Sequence, residues 1–201
     1  SKSSSRDHTL SLTTSSMHTS LLSLLAFTTL GLSTAHPNIY FIRHGEKPQH
    51  GGIGLSDDGL ERAECIRDVF GRYSDYDIGY IMAQKPKKSG KRNRPYETVR
   101  PLAEDLDIKV DISCNRDDPK CVKKTIKKYK GKGNILICWE HHRMTDLVEV
   151  LGNEDAPEYP DERFDLIWTI PYPYNDITEI VSESCPGLDW SPDNWNKHDS
   201  L

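Results

Sequence analysis

The 201 residues suffice for one domain, and 35% hydrophobic with 28% charged residues is the balance of an ordinary water-exposed globule. A formal net charge of −5 excludes the strong basic footprint of a nucleic-acid binder. The mean hides local blocks, however: Lys85, Lys87, Lys88, Lys91, Arg92 and Arg94 form a basic run without an acid, Lys120 to Lys132 is lysine-rich, and Glu154 to Asp165 is mostly acidic. All three read as solvated surface, and the first also suits a rim beside an anion site.

Residues 1–16, SKSSSRDHTLSLTTSS, are polar and are expected to be disordered. From Met17 the chain reads MHTSLLSLLAFTTLGLSTA, whose apolar centre, Leu21 to Leu32, is too short to span a membrane. Its small-residue end, Ser33-Thr34-Ala35, has the layout of a secretory signal cleaved after Ala35, although His18 is the only candidate for a positive start. The expected organisation is a disordered tail plus signal over 1–35 and one domain over 36–201. Cleavage would place that domain outside the cell, with no stable membrane insertion; a leader that does not function would leave it in the cytoplasm.

Asn38 to Ile42 reads as a buried strand ending at Arg43 and His44. After the connection GEKPQHGGIGL, Ser56 is a good N-cap for a helix whose face is Leu60, Ala63, Ile66 or Arg67, and Phe70. Gly79 to Ala83 is a short strand. RPYETVRPLAEDLDIKV is helical through Leu106, with a kink or strain expected at Pro101. Val122, Ile126 and Tyr129 give the next segment one apolar face, and ILICW is a second central strand. Met144, Leu147, Val148 and Leu151 recur at helical spacing up to Gly152. DLIWTIPY and TEIVSES are strand-like and are expected to pair at the sheet's edge. Alternating strands and helices predict a three-layer α/β/α domain with a mostly parallel central sheet.

The five cysteines leave one unpaired in a monomer. Cys114 and Cys121 flank the short loop NRDDPK and are the expected bridge, whereas Cys138 reads as a small packed hydrophobe. No metal-ligand spacing appears, and no cofactor is expected.

NIYFIRHG and NILICWEHH share one layout, an apolar strand ending in a histidine. Open α/β sheets bind ligands beyond the carboxyl ends of their strands. If the two strands are parallel neighbours, His44 and His141 meet there, and Arg43 reaches the same crevice.

FIRHGEKP, LSDDGLERA, RPYETVRPLA and ILICWEHHRM together resemble the histidine phosphatase superfamily, with its phosphoglycerate-mutase-like fold, and more narrowly its small fungal members. The resemblance covers roughly residues 37–182. It implies that His44 is a nucleophile forming a phosphohistidine, that Arg43, Arg94 and His141 bind the phosphate with it, and that the activity is that of a histidine acid phosphatase-like phosphomonoesterase. Guanidinium forks and a second imidazole would stabilise the charge on a transferring phosphoryl group. The free ring nitrogen of His44 requires the other nitrogen to have an acceptor, expected to be a backbone carbonyl near Gly45. Arg94 is expected to clamp with both prongs of its guanidinium, and His142 to be a satisfied or exposed neighbour of His141. For the proton donor the sequence offers Asp117, with Asp118 as the alternative; two surface acids ahead of a helix is the competing reading. RHGEKPQH departs from the pattern of the phosphoglycerate mutases, and the short chain has little room for a substrate cap. The expected ligand is a small phosphorylated molecule or inorganic phosphate. A second expectation is a catalytically weak or inactive secreted protein that keeps the phosphate pocket for binding or interaction.

Overall fold

The structure is a computed structural model that describes residues 36–189, and the tail and signal expected over 1–35 lie outside the described residues. The strands are β1 (Ile39–Arg43), β2 (Ile78–Ala83), β3 (Asn134–Trp139), β4 (Leu166–Ile170) and β5 (Glu179–Ser182). The helices are α1 (Asp57–Phe70), α2 (Arg94–Leu106), α3 (Pro119–Lys128) and α4 (Met144–Leu151), the last preceded by a 3₁₀ turn, His141–Arg143.

The strands form one sheet in the order β2-β3-β1-β4-β5. β1 and β2 both run parallel to β3, whereas β4 runs antiparallel to β1 and to β5. The sheet is therefore mixed rather than mostly parallel. A parallel partner needs a long crossover, whereas an antiparallel one needs only a short return, which the segment between Ile170 and Glu179 supplies.

Alternation along the strands divides the core. Ile39, Phe41, Ile135, Ile137 and Trp139 face α3 and α4; Tyr40, Ile42, Leu136 and Cys138 face α1 and α2. Three layers result, α/β/α, as the strand and helix pattern predicts. Ser56 caps α1 by accepting from the Gly59 N–H. α2 continues through Pro101 to Leu106, the end expected for it.

The buried face of α1 also differs from the expected one. Leu60 is 52% exposed, and Arg62 takes an inward position at 1%. A buried guanidinium needs counter-charges, and here it has three: Glu46 at 2.8 Å, Glu183 at 2.6 Å and Asp189 at 3.0 Å. Burial raises the Glu183 carboxyl to about 8, with the Arg62 charge pulling the other way.

Three residues beyond Arg62, Cys65 is bonded to Cys185, 120 positions away. Spacing gives no hint of such a pair, and it was not anticipated. The expected Cys114–Cys121 bridge is present, and Cys138 is free and fully buried. Two disulfides are the chemistry of an oxidising compartment. Among the described residues no helix is long and apolar enough to cross a membrane.

Removing Arg62 alone strands buried carboxylates. Arg62→Ala should cost about 3–5 kcal/mol, the range for breaking a buried ion pair from one side. Arg62→Met combined with Glu183→Gln should recover part of that loss, because no charge is left unpaired at that contact. Urea unfolding measures both, and a double variant no more stable than Arg62→Ala would contradict the ion-pair account.

Candidate active site

β1 and β3 pair with Arg43 opposite Trp139, and the His44 N–H continues the ladder to the Trp139 carbonyl at 3.1 Å. The two strands therefore end level. His44 follows one and Glu140-His141 follows the other, so the parallel-neighbour expectation holds and both histidines sit at the same sheet end.

His44 is 5% exposed. Its Nδ1 lies 2.7 Å from the Gly45 carbonyl, which can only accept, so Nδ1 carries the hydrogen and Nε2 the lone pair. Burial pushes the ring down to about 3; the carbonyl bond opposes this, while the charges of Arg43, Arg94 and His141 add to it. The imidazole is neutral, and the lone pair of Nε2 is free.

The loop behind it has little freedom. A Cβ on Gly45 would meet the Gly59 carbonyl oxygen at 2.9 Å, so α1 approaches the loop too closely for a side chain there. The Gly45 N–H donates to the Thr98 hydroxyl (2.9 Å), and that hydroxyl donates to the Arg94 carbonyl (2.8 Å). Thr98 thereby joins the start of α2 to the histidine loop. Glu46 orders the same loop through Arg62.

Arg43 is 2% exposed. Its Nη1 donates to the carbonyls of Asp161 and Arg163, both at 2.6 Å, and its guanidinium lies 3.7 Å over the Phe164 ring. Its Nε is buried with no hydrogen-bond partner among the described residues.

Arg94 is placed differently from the expected two-pronged clamp. Nε donates to the Gly54 carbonyl (2.7 Å) and Nη2 to that of Gly52 (2.8 Å). Its fork holds the 52–54 loop, and its charge still acts on His44.

His141 is buried and His142 exposed, as expected, with ring centroids 3.9 Å apart. His141 Nε2 pairs with Asp161 at 2.9 Å. Its Nδ1 is buried without a hydrogen-bond partner, 3.3 Å from Glu140 Oε1. Burial holds this ring below the usual histidine range, with Arg43 next in effect.

The expected acids are not in this cluster. Asp117 is 45% exposed, hydrogen-bonded to Arg116 and paired with Arg92 and Arg143. The Arg116 hydrogen bond is the main cause that holds its carboxyl below the usual range, which suits an anchor and not a proton donor. Asp118 caps α3 by accepting from the Cys121 N–H at 3.0 Å. The carboxylate beside the histidines is Glu140, with its Oε2 buried and without a hydrogen bond, 3.5 Å from Arg116. The sequence carried a signal for it: once the two strands are set level, the residue before His141 falls opposite His44.

No protein-family model matches the chain, and no curated protein matches it. Solved structures do. A structure of the protein histidine phosphatase SixA complexed with tungstate is similar at a TM-score of 0.56, with 13% identity over 73% of this chain and 97% of that one. SixA from Agrobacterium tumefaciens is similar at a TM-score of 0.52, also 13% identical, over 73% of this chain and 98% of that one. The likeness is one of fold.

The state of His44 has a measurable consequence. As pH falls from about 6.5 towards 3, the unfolded chain takes up a proton that the folded site refuses. Stability should fall across that window, by at most about 1.4 kcal/mol per pH unit for one group. Replacing His44 with Asn should flatten this part of a melting-temperature profile; unchanged slopes would rule out a buried neutral ring.

Proposed function

We propose that this chain is a phosphomonoester hydrolase of the histidine phosphatase superfamily, acting on a small phosphorylated substrate through a phosphohistidine at His44. The observation that carries the reading is a neutral buried imidazole with its lone pair on Nε2, beside two buried polar positions without a hydrogen-bond partner among the described residues, Arg43 Nε and His141 Nδ1. A phosphoryl oxygen supplies the acceptor that the Arg43 Nε–H lacks, and its charge favours a proton on His141 Nδ1. The tungstate held by one protein of like fold is an oxyanion of the same kind.

In the first step His44 Nε2 attacks phosphorus and the bond from phosphorus to the ester oxygen breaks. Arg43 neutralises the equatorial oxygens through its Nε edge, and Arg94 adds its charge from the start of α2. A phosphate dianion favours a proton on His141 Nδ1, so that ring donates while Asp161 holds its other nitrogen. We assign Glu140 as the general acid: protonated, it gives its hydrogen to the leaving oxygen. As a carboxylate it then takes a proton from the water that attacks the phosphohistidine, the P–N bond breaks, and inorganic phosphate leaves.

The Cys65–Cys185 and Cys114–Cys121 bridges support a further reading, export of the domain to an oxidising environment. Intact mass of secreted material tests it, with a mature N-terminus near His36 expected.

Two measurements test the chemistry. A generic labelled phosphomonoester should leave phosphate on His44 in an acid-labile, base-stable adduct, absent in His44→Ala; a clean preparation that neither labels nor turns over would reject the hydrolase. Glu140→Gln should slow alkyl phosphates about 10²–10⁴-fold, the usual worth of proton transfer. It should slow p-nitrophenyl phosphate far less, because that leaving group departs without a proton. Equal losses on both substrates would remove Glu140 from the acid role.

A further inference from the structure

Beside the histidine crevice lies a cleft of about 420 Å³, lined by the 52–54 loop and by Lys91, Arg92 and Arg94. Arg94 closes one side, and its charge is felt by His44. On another side Arg92 Nη1 reaches Asp117 at 3.3 Å, where Arg116 (2.9 Å) and Arg143 (3.1 Å) also converge. Three guanidinium groups thus share one carboxylate. Arg116 also approaches Glu140, and Arg143 pairs with Asp146 at 3.0 Å. Five cations, Lys91, Arg92, Arg94, Arg116 and Arg143, stand around this rim against four carboxylates, Asp117, Glu140, Asp146 and Glu97, the last beside Gly54 and Asn93.

Arg92 is also held in an uncommon way. Its φ is +64°, a left-handed conformation that costs an L side chain energy and persists only where the surroundings enforce it. Beside it stands Gln84, 2% exposed just beyond β2. Its Nε2 donates to the Arg92 carbonyl and its Oε1 accepts from the Glu140 N–H. One buried amide therefore connects the backbone of Arg92 to that of the proposed acid. The opposing loop is fixed as well. Cys114 and Cys121 close it covalently, the Trp139 indole donates to the Arg116 carbonyl at 3.1 Å, and the Lys85 N–H donates to the Cys114 carbonyl.

We propose that Arg92, with Lys91 and Arg116, forms a second anion subsite beside the phosphoryl site, so that the substrate is a small molecule carrying a second phosphate or an equivalent anion. The inference rests on the phosphomonoesterase reading for the identity of the first site. Asp117 serves the subsite as an anchor: it gathers mutually repelling guanidinium groups without cancelling their excess charge. A second anion entering the cleft supplies the missing counter-charge, and each contact it makes is charge-assisted.

Non-hydrolysable alkane-α,ω-diphosphonates with one to five carbons probe the span between the subsites, with alkyl monophosphonates of equal length as references. Calorimetry at fixed ionic strength gives binding without turnover. At the best length the protein should prefer the diphosphonate by roughly tenfold, the worth of one charge-assisted contact. Arg92→Gln should reduce that preference to about twofold, Arg116→Gln should do the same, and Arg92→Lys should restore part of it. Lys88→Gln, in the same basic loop but outside the cleft, should keep the full preference.

No preference in the unaltered protein, or an equal loss in Lys88→Gln, overturns the subsite. Turnover of a generic phosphomonoester without the preference overturns the subsite alone. A preference that depends on Arg92, with no turnover, overturns the hydrolase and leaves the subsite standing. Failure to bind either ligand overturns both.

Discussion

The level ending of β1 and β3 is the constraint on which the site depends. Parallel pairing with Arg43 opposite Trp139 puts His44 and Glu140 in step, and the 3₁₀ turn then brings His141 over the same sheet end. Side chains alternate along a strand, so a slip of one residue would send every core residue of β1 to the wrong layer. Ile39 and Phe41 on one face, with Tyr40 and Ile42 on the other, prevent that slip. Core packing therefore sets the alignment of the two histidines, and no contact between the histidines is needed to achieve it.

Register alone does not hold the loop after β1. Its support comes from the helices of one layer: α1 pressed against Gly45 through Gly59, and α2 bonded to the Gly45 N–H through Thr98. The Arg62 network and the Cys65–Cys185 bridge then tie α1 and Glu46 to the chain beyond β5. A nucleophilic imidazole gains from such rigidity. Its Nδ1–H must stay on the Gly45 carbonyl if Nε2 is to keep its lone pair, and a wandering loop would lose that bond.

What could be read from the sequence follows the range of the forces involved. Strand alternation and helix periodicity are local, so β1, β3, α4 and the antiparallel pair β4–β5 were all legible, as was the Cys114–Cys121 bridge across seven positions. The parallel approach of the two histidine-ending strands was legible because both segments read as central strands. The buried Arg62 was not: an arginine on an amphipathic helix reads as polar until Glu183 and Asp189 are brought to it from more than 100 residues away. Cys185 is hidden for the same reason. The direction of β4 depends on a return too irregular to have a pattern. Asp117 is the instructive miss among the site residues. Its position in the chain suited an acid, but the adjacent Arg116 holds it together with Arg92 and Arg143, and those two are brought from distant segments that its neighbours do not reveal.

The way each arginine is held separates those that work on a ligand from those that hold the fold. Arg62 is bound by three carboxylates, which cancel its charge and leave a rigid knot behind the loop. Arg43 is fixed by the carbonyls of Asp161 and Arg163 and by the Phe164 face; Arg94 is fixed by the carbonyls of Gly52 and Gly54. A carbonyl accepts a hydrogen bond but brings no full negative charge. Both side chains are therefore oriented with their positive charge intact, and His44 registers that charge in its depressed proton affinity. A carboxylate partner would have oriented them as well but at the cost of the field an oxyanion needs. Arg92, Arg116 and Arg143 lie between the two cases. One shared carboxylate orients all three, and Glu140 and Asp146 each approach one of them as well, so the excess positive charge of this rim comes from the neighbouring Lys91 and Arg94.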